Sequence, residues 1–390
     1  MIYMDNGATT MVREEVFDAM KPYLMGEYGN PSSIYKLGRN SKSAIEEARK
    51  QIANVIGAEP REIFFTGCGT EADNWAIKGV IEFFSNKETP HIITSKVEHH
   101  AVLHVAEYLE RKGVEVTYLD VDKDGLINIE DLKAAIRPNT RLISIMFANN
   151  EIGTIMPIKE IGEVAKANNI LFHTDAVQAF GHVPIDVNEM NIDLLSVSGH
   201  KVHGPKGVGA LYVRKGTRVL PILHGGAQEG KRRPGTENVA SIVGFGIAAE
   251  LAQKEMNEVS AHEIKLRDAL IKGILDTIPN TTLNGHNSKR LPNNVNISFS
   301  FIEGESLLLM LDFKEVYGSS GSACTSGSLD PSHVLMALGL KHEEAHGSLR
   351  LTLSKYNTMD EVDIVVKELK PIVERLRAMS PLYEDFVNGK

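Results

Sequence analysis

Leu194-Leu-Ser-Val-Ser-Gly-His-Lys201 is the stretch that decides the fold, because five residues of buried-strand character break at once into a glycine turn carrying a histidine and a lysine. Short apolar runs of the same kind stand at 62–66, 91–95, 114–119, 142–148, 170–174 and 210–213. Continuous rather than alternating apolar runs predict strands covered on both faces, as in a mostly parallel sheet. Helical patterns lie between them. Residues 41–57 place Ala44, Ile45, Ala48, Ile52 and Val55 on one face and stop at Gly57. From about 14 to 255 the chain therefore reads as α/β, a mostly parallel seven-stranded sheet covered by helices. Ligands in such sheets bind beyond the carboxyl ends of strands, where this sequence keeps its polar residues.

Past Asn238 an Ala-rich, charge-laced helical pattern runs to about 276. From Asn293 the character changes to the period-two stretch Val295-Asn-Ile-Ser-Phe-Ser-Phe301, then a helix at 305–311 and a Gly/Ser-rich loop at 318–328. This predicts a smaller α+β domain built from residues 1–13 and 256–390, with the loop at about 318–330, beside a large domain at 14–255. Length and composition agree: 390 residues, 42% hydrophobic and 24% charged, support two globular cores. A net charge of −9 without a basic block argues against a nucleic-acid partner. No apolar run approaches about eighteen residues and the start lacks a basic-then-apolar leader, so no membrane partner and a cytoplasmic location are expected. The two cysteines, Cys68 and Cys324, are too few for a disulfide scaffold and each must be explained as a thiol.

Taken alone, Lys201 reads as an exposed loop lysine. Its neighbours change that. A lysine with a lowered pKa attacks carbonyls, and Schiff-base formation with pyridoxal phosphate is the commonest such use. That cofactor is an electron sink only while its pyridine nitrogen stays protonated, which an ionised carboxylate enforces. Asp175, in His173-Thr-Asp-Ala-Val-Gln178 at the end of an earlier strand, is placed for this, although it also suits a helix N-cap. Gln178 could bond the cofactor's phenolic oxygen or be a surface glutamine. The run Phe65-Thr-Gly-Cys-Gly-Thr70 passes from strand through turn to helix, and the free N–H groups there suit a phosphate at Gly69 and Thr70, with Ser198 and His200 helping. Its spacing does not match the dinucleotide fingerprint. In Val97-Glu-His-His-Ala, the His99 imidazole could stack on the pyridine ring and exchange protons, while His100 and His104 read as ordinary helix histidines.

Two further residues belong to the smaller domain. Cys324 lies in Gly318-Ser-Ser-Gly-Ser-Ala-Cys-Thr-Ser-Gly-Ser328, a setting unlike the core that usually buries a free cysteine, and suited to delivering a thiol to a buried site. Cys68, in the tight turn, has the plainer structural reading. Arg350, in Gly347-Ser-Leu-Arg-Leu-Thr352, could grip an amino acid's carboxylate bidentately or form a structural salt bridge.

With these residues in place, the sequence resembles the class V aminotransferase-like enzymes of pyridoxal-phosphate fold type I, and among them the cysteine desulfurases of the NifS/IscS type. The resemblance runs nearly end to end, through Tyr3-Met-Asp-Asn-Gly-Ala-Thr-Thr10, Gly29-Asn-Pro-Ser-Ser33, Asn149-Asn-Glu-Ile-Gly153, Ser198-Gly-His-Lys201, Arg233-Pro-Gly-Thr-Glu-Asn238 and Ser322-Ala-Cys-Thr-Ser-Gly327. It implies Lys201 as the cofactor's covalent lysine, His99 as the stacking ring, Asp175 as the pyridinium partner and Gln178 as the phenolic-oxygen partner. It gives the phosphate to Gly69, Thr70, Ser198 and His200, and to Thr236 from the opposite subunit of a homodimer. Asn150 would lie beside cofactor and substrate, and Asn30 and Arg350 would meet the substrate carboxylate. Cys324 would accept sulfur from L-cysteine as a persulfide, pass it to an IscU/NifU-like scaffold for iron–sulfur (2Fe-2S) assembly, and transiently ligate a cluster iron. One departure is the phosphate turn, Thr66-Gly-Cys-Gly-Thr70 where the family usually has Thr-Ser-Gly.

The alternatives are a selenocysteine or cysteine-sulfinate lyase or aminotransferase of the same fold, for which Cys324 has no use, and a non-catalytic sulfur carrier or scaffold, for which Lys201 has none.

Overall fold

The computed structural model describes residues 1–85, 88–320 and 331–389. Twelve strands appear among them: β1 Ile2–Tyr3, β2 Ile63–Thr66, β3 His91–Ser95, β4 Glu115–Leu119, β5 Thr140–Ser144, β6 Leu171–Asp175, β7 Leu194–Ser198, β8 Gly209–Val213, β9 Thr281–Leu283, β10 Asn294–Phe299, β11 Val316–Tyr317 and β12 Ser348–Thr352. The helices that matter first are α1 Glu14–Met25, α2 Lys36–Val55, α3 Gly69–Ser85 and α4 His100–Glu110. Then follow α5 Ile129–Ala135, α6 Ile158–Ala167, a short left-handed turn α7 Gln228–Lys231, and the 39-residue α8 Val239–Thr277. The last are α9 Gly304–Asp312, α10 His333–Ala337, α11 His342–His346, α12 Met359–Ala378 and α13 Pro381–Val387.

β2 to β8 form one seven-stranded sheet in the order β2-β8-β7-β6-β5-β3-β4. Only β8 runs against its neighbours; the other pairs are parallel. Alternate residues point to opposite faces, so each strand feeds two cores. Ile93, Ile143 and Leu195 pack with α2, α6 and the start of α8 on one face. Ile92, Leu142 and Leu194 pack with Trp75 of α3 and Val102 of α4 on the other. Both faces being covered explains the unbroken apolar runs. The expected strand at 142–148 is instead Thr140–Ser144, because the chain beyond it leaves the ladder while Ile145 N and Phe147 N still donate to β6 carbonyls at His173 and Asp175. Gly57, just past α2, takes the left-handed φ of +69° that its place at a helix end requires.

A separate cluster joins Phe299, Leu307, Leu351 and Val365 to Leu266, Leu270 and Ile274 from the far end of α8. The same helix supplies Ile242, Phe245 and Ala248 to the sheet's core, so one rod, about 58 Å long at 1.5 Å per residue, ties both clusters together. In this second region β10 pairs antiparallel with β9 and β12. The polar side of β10 is also buried, with Asn294 and Asn296 both donating to the Glu151 carbonyl at 3.1 and 3.0 Å. That contact presses β12, and with it Arg350, against the carboxyl ends of the large sheet. No helix among the described residues is long and apolar enough to cross a membrane.

Candidate active site

The adjacent strands β6 and β7 end on Asp175 and Ser198, and the single 3-10 turn after β7 carries Lys201. A cavity of about 390 Å³ opens at this edge. Its lining includes Cys68, Gly69, Thr70, His99, Asn150, Asp175, Gln178, Ser198, His200, Lys201 and Arg350, eleven of the residues singled out in the sequence. Exposed Asn30, whose Oδ1 accepts from Ser32 N at 2.9 Å, does not line it, nor does exposed Thr236. Cys324 lies outside the described residues.

Asp175 is 7% exposed, and its Oδ1 accepts the Val177 N–H at 2.9 Å. Burial raises its pKa, while that hydrogen bond and the Lys201 charge oppose the rise. A second carboxyl, Asp73, reaches the same cavity from the first turn of α3. Burial, and then the Asp175 charge, push Asp73 well above the usual carboxylate range. Both carboxyls are thus pushed upward, Asp73 further, while Asp175 has the Val177 N–H and the Lys201 charge in favour of its anion. Behind them His173 is wholly buried, with Nδ1 2.8 Å from Ser144 Oγ, Nε2 3.0 Å from Ser196 Oγ and 3.6 Å from Asp73 Oδ1. Burial lowers its pKa to about 3, so this ring stays neutral.

Lys201 Nζ donates to the carbonyls of Gly7 at 2.6 Å and Ala8 at 2.8 Å, and Gln178 Nε2 donates to the same Gly7 carbonyl at 3.0 Å. The N-terminal segment thus closes one wall. Thr352 holds it there, its hydroxyl taking the Gly7 N–H at 2.6 Å, and Thr9 Oγ1 lies 3.1 Å from His200 Nδ1. Neither the Gly7–Ala8 wall nor Asp73 was singled out in the sequence. The wall had a signal in the Asp5-Asn-Gly-Ala motif, whereas Asp73 looks like any polar residue one turn into a helix.

α3 starts at Gly69, where a side chain would come within 2.7 Å of Val177 Cγ2, so glycine alone lets the turn and the cavity floor meet. Among the described residues Ser198 Oγ is buried and has no hydrogen-bond partner. Cys68 is exposed and its Sγ accepts the Glu71 N–H at 3.4 Å. His99 caps α4, its Nδ1 accepting from Ala101 N at 3.1 Å, which leaves the ring proton on Nε2. Burial, then the charges of Lys201 and its histidine neighbours, take its pKa down to about 4. His100 and His104, expected to be ordinary, stack at 4.8 Å, and His100 also lies 4.8 Å from the His333 ring.

Arg350 is 2% exposed. Its Nη2 donates to Asp5 Oδ1 at 2.9 Å and Nη1 to the Asn150 carbonyl at 3.1 Å, while Nε is buried without a partner among the described residues. The salt bridge and the cavity lining are therefore both present in one side chain.

Next to His99, Glu98 accepts from Ser95 Oγ and Met146 N, and burial raises its pKa from 4.5 to about 8. Over that interval the folded state holds a proton that the unfolded chain has released, so folding stability falls as pH rises and levels off above it. Glu98→Gln removes this loss: its melting temperature gains on the wild type between about pH 5 and about pH 8, read by thermal scans across that range. A constant difference over the range would show that Glu98 is ionised throughout.

The donor set fits pyridoxal phosphate. A carboxylate anion can pair with a pyridinium, a lysine amine with an aldehyde, and helix-start N–H groups plus an unpartnered hydroxyl with a phosphate, in a cavity of the size small-ligand sites have. Among the described residues no group of three or more His, Cys, Asp or Glu is arranged to hold a metal.

Comparison with known proteins agrees. The aminotransferase class-V family matches residues 2–365. The chain is 62% identical over 381 residues to the cysteine desulfurase IscS of Methanosarcina thermophila, covering 98% of this chain and 94% of that one. It is 54% identical over 389 residues to the cysteine desulfurase IscS of Dictyoglomus turgidum, covering 100% and 98%. Among solved structures, a NifS-like protein superimposes with a TM-score of 0.90 at 40% identity, over 96% of this chain and 100% of that one. SspA in complex with cysteine gives 0.81 at 39%, over 92% and 100%. The chain belongs to the class-V aminotransferase family, among its pyridoxal-phosphate-dependent cysteine desulfurases of the NifS/IscS type.

Proposed function

We propose that this chain takes sulfur from L-cysteine, releases L-alanine and leaves the sulfur as a persulfide on Cys324. The observation that carries the reading is the meeting of Asp175 and Lys201, from neighbouring strands, with the start of α3 in one cavity. A solved relative that holds cysteine, at 39% identity, supports the substrate.

Pyridoxal phosphate, when bound, supplies the electron sink that makes the substrate's Cα acidic. Lys201 would hold it covalently at rest, and its amine, when free, is placed to take the substrate's Cα proton. Asp175 would pair with the pyridine nitrogen and keep it charged. Gly69, Thr70, Ser198 and His200 would hold the phosphate, Gln178 the phenolic oxygen, and His99 the ring. Arg350 and Asn150 take the substrate carboxylate. The Cys324 thiolate attacks the substrate sulfur; an S–S bond forms as the Cβ–S bond breaks, the bond's electrons go to Cβ, which takes a proton, and the proton held by Lys201 returns to Cα to give alanine.

Arg350→Ala raises KM for L-cysteine by about 100-fold with a smaller fall in kcat, and Arg350→Lys lies between, because it keeps charge but not the two-pronged geometry. Steady-state kinetics read both. A changed kcat at constant KM would place the carboxylate elsewhere.

The reading extends to a homodimer in which Thr236 serves the other copy's phosphate, supported by exposed Met11, Phe17, Leu24, Met25, Tyr28 and Ile34 along one stretch of chain. It extends also to residues 14–255 as the cofactor-binding domain with the rest as the smaller one, to a cytoplasmic location, and to an IscU/NifU-like scaffold as sulfur acceptor with Cys324 touching cluster iron during hand-over. The test is to add one equivalent of L-cysteine, alkylate, and map sulfur by peptide mass spectrometry. Persulfide on Cys324 is expected. Alanine formed with sulfur on Cys68, or on neither cysteine, would point to a lyase of the same fold instead.

A further inference from the structure

We propose that residues 228–236 are a presenting strap in which Glu229 and Arg233 are positioning residues, holding Thr236 so that a second copy of this chain retains its cofactor's phosphate. The inference rests on the dimer reading above.

Three consecutive residues here lie on the left-handed side of backbone space: Glu229 at φ 47°, Gly230 at φ 64° and Lys231 at φ 67°. Two of the three carry a Cβ and resist that conformation, so something must hold them. Glu229 is 8% exposed, and its carboxylate takes both Arg49 Nη groups at 2.8 Å and the Phe65 N–H at 2.9 Å. Four residues on, Arg233 grips Glu71 through Nε at 2.7 Å and Nη2 at 3.1 Å, and Glu71 in turn accepts the Gly67 N–H at 2.7 Å. Arg232 lies over the Phe64 ring at 4.9 Å, and Gly235 N closes the strap on Gln228 Oε1 at 3.1 Å.

Apart from Arg49, which belongs to α2, these outward anchors end on the unit β2–turn–α3 that forms the phosphate end of the chain's own site. The strap itself, with Thr236 exposed at its end, lines no part of that site. A segment strained and tied at four points, yet serving no group of its own cavity, is built to meet a surface outside the chain. The run Lys231-Arg-Arg beside Thr236, in a protein of net charge −9, suits that surface to an anion such as a phosphate.

The test follows release of pyridoxal phosphate from the purified holoenzyme into excess trap, by loss of visible absorbance without turnover, alongside sedimentation to score the dimer. Arg233, half exposed, is the safer variant should the buried Glu229→Gln misfold. Arg233→Ala stays dimeric and releases the cofactor about tenfold faster, the order expected for one lost charge-assisted contact. Thr236→Ala does the same, and the double variant is no faster than Thr236→Ala alone, since Arg233 acts through Thr236. Additive losses in the double variant, a wild-type rate in Arg233→Ala, or its collapse to monomer would overturn the positioning role while leaving the cross-subunit contact standing. A wild-type rate in Thr236→Ala would remove that contact itself.

Discussion

Lys201→Ala yields a folded protein that emerges from gel filtration colourless and forms alanine from L-cysteine at least about 10⁴-fold more slowly, the combined scale of a lost covalent anchor and a lost general base. The fold survives because Lys201 lines a cavity, its Nζ bonded to the Gly7 and Ala8 carbonyls, and belongs to none of the hydrophobic cores. Lys201→Arg keeps a cation between those carbonyls but cannot make the carbon–nitrogen bond, so it restores stability without colour. Absorbance after desalting and the alanine rate together read the result. A Lys201→Ala protein that kept both colour and rate would move the covalent role to another lysine.

Cys324→Ala separates the chemistry into halves. The protein stays yellow, because Asp175, Lys201 and the start of α3 are untouched, and it still changes spectrum when L-cysteine is added. Sulfur transfer is lost: no persulfide forms, and alanine release falls by at least about 10³-fold, the scale of losing a nucleophile while the other groups remain. Cys68, the one other thiol, is exposed in the phosphate turn with its Sγ accepting the Glu71 N–H, lines the same cavity, and takes no part in the transfer. Persulfide persisting on the Cys324→Ala protein would show otherwise.

Much of this site could be read before the structure because its groups sit where strands end. Asp175 and Lys201 announce themselves as polar residues closing apolar runs, and the parallel order of β6 and β7 brings two runs separated by a long connection side by side. Gly69 and Thr70 were legible for the same reason, as a strand–turn–helix junction. What escaped was supplied by distant chain. The Gly7–Ala8 wall lies 194 residues from Lys201, and no local pattern marks a carbonyl as a lysine's partner. Asp73 and His173 acquire meaning only from burial beside Asp175. Arg350 reads two ways in sequence, as salt bridge or as carboxylate grip, and the structure holds its Asp5 pair and an unpartnered Nε together in one cavity wall. The strand predicted at 142–148 runs instead over 140–144: its polar start at Thr140 and Arg141 is invisible to an apolar run, and beyond Ser144 the chain leaves the regular ladder although Ile145 and Phe147 still donate to β6.

The most direct test of the central claim is the visible spectrum of the purified protein before and after L-cysteine, with alanine and reducible sulfur assayed in the same tube. The account predicts a yellow protein whose spectrum shifts on addition and which yields alanine and sulfur in equal amounts. A colourless protein, or alanine without sulfur, would contradict it.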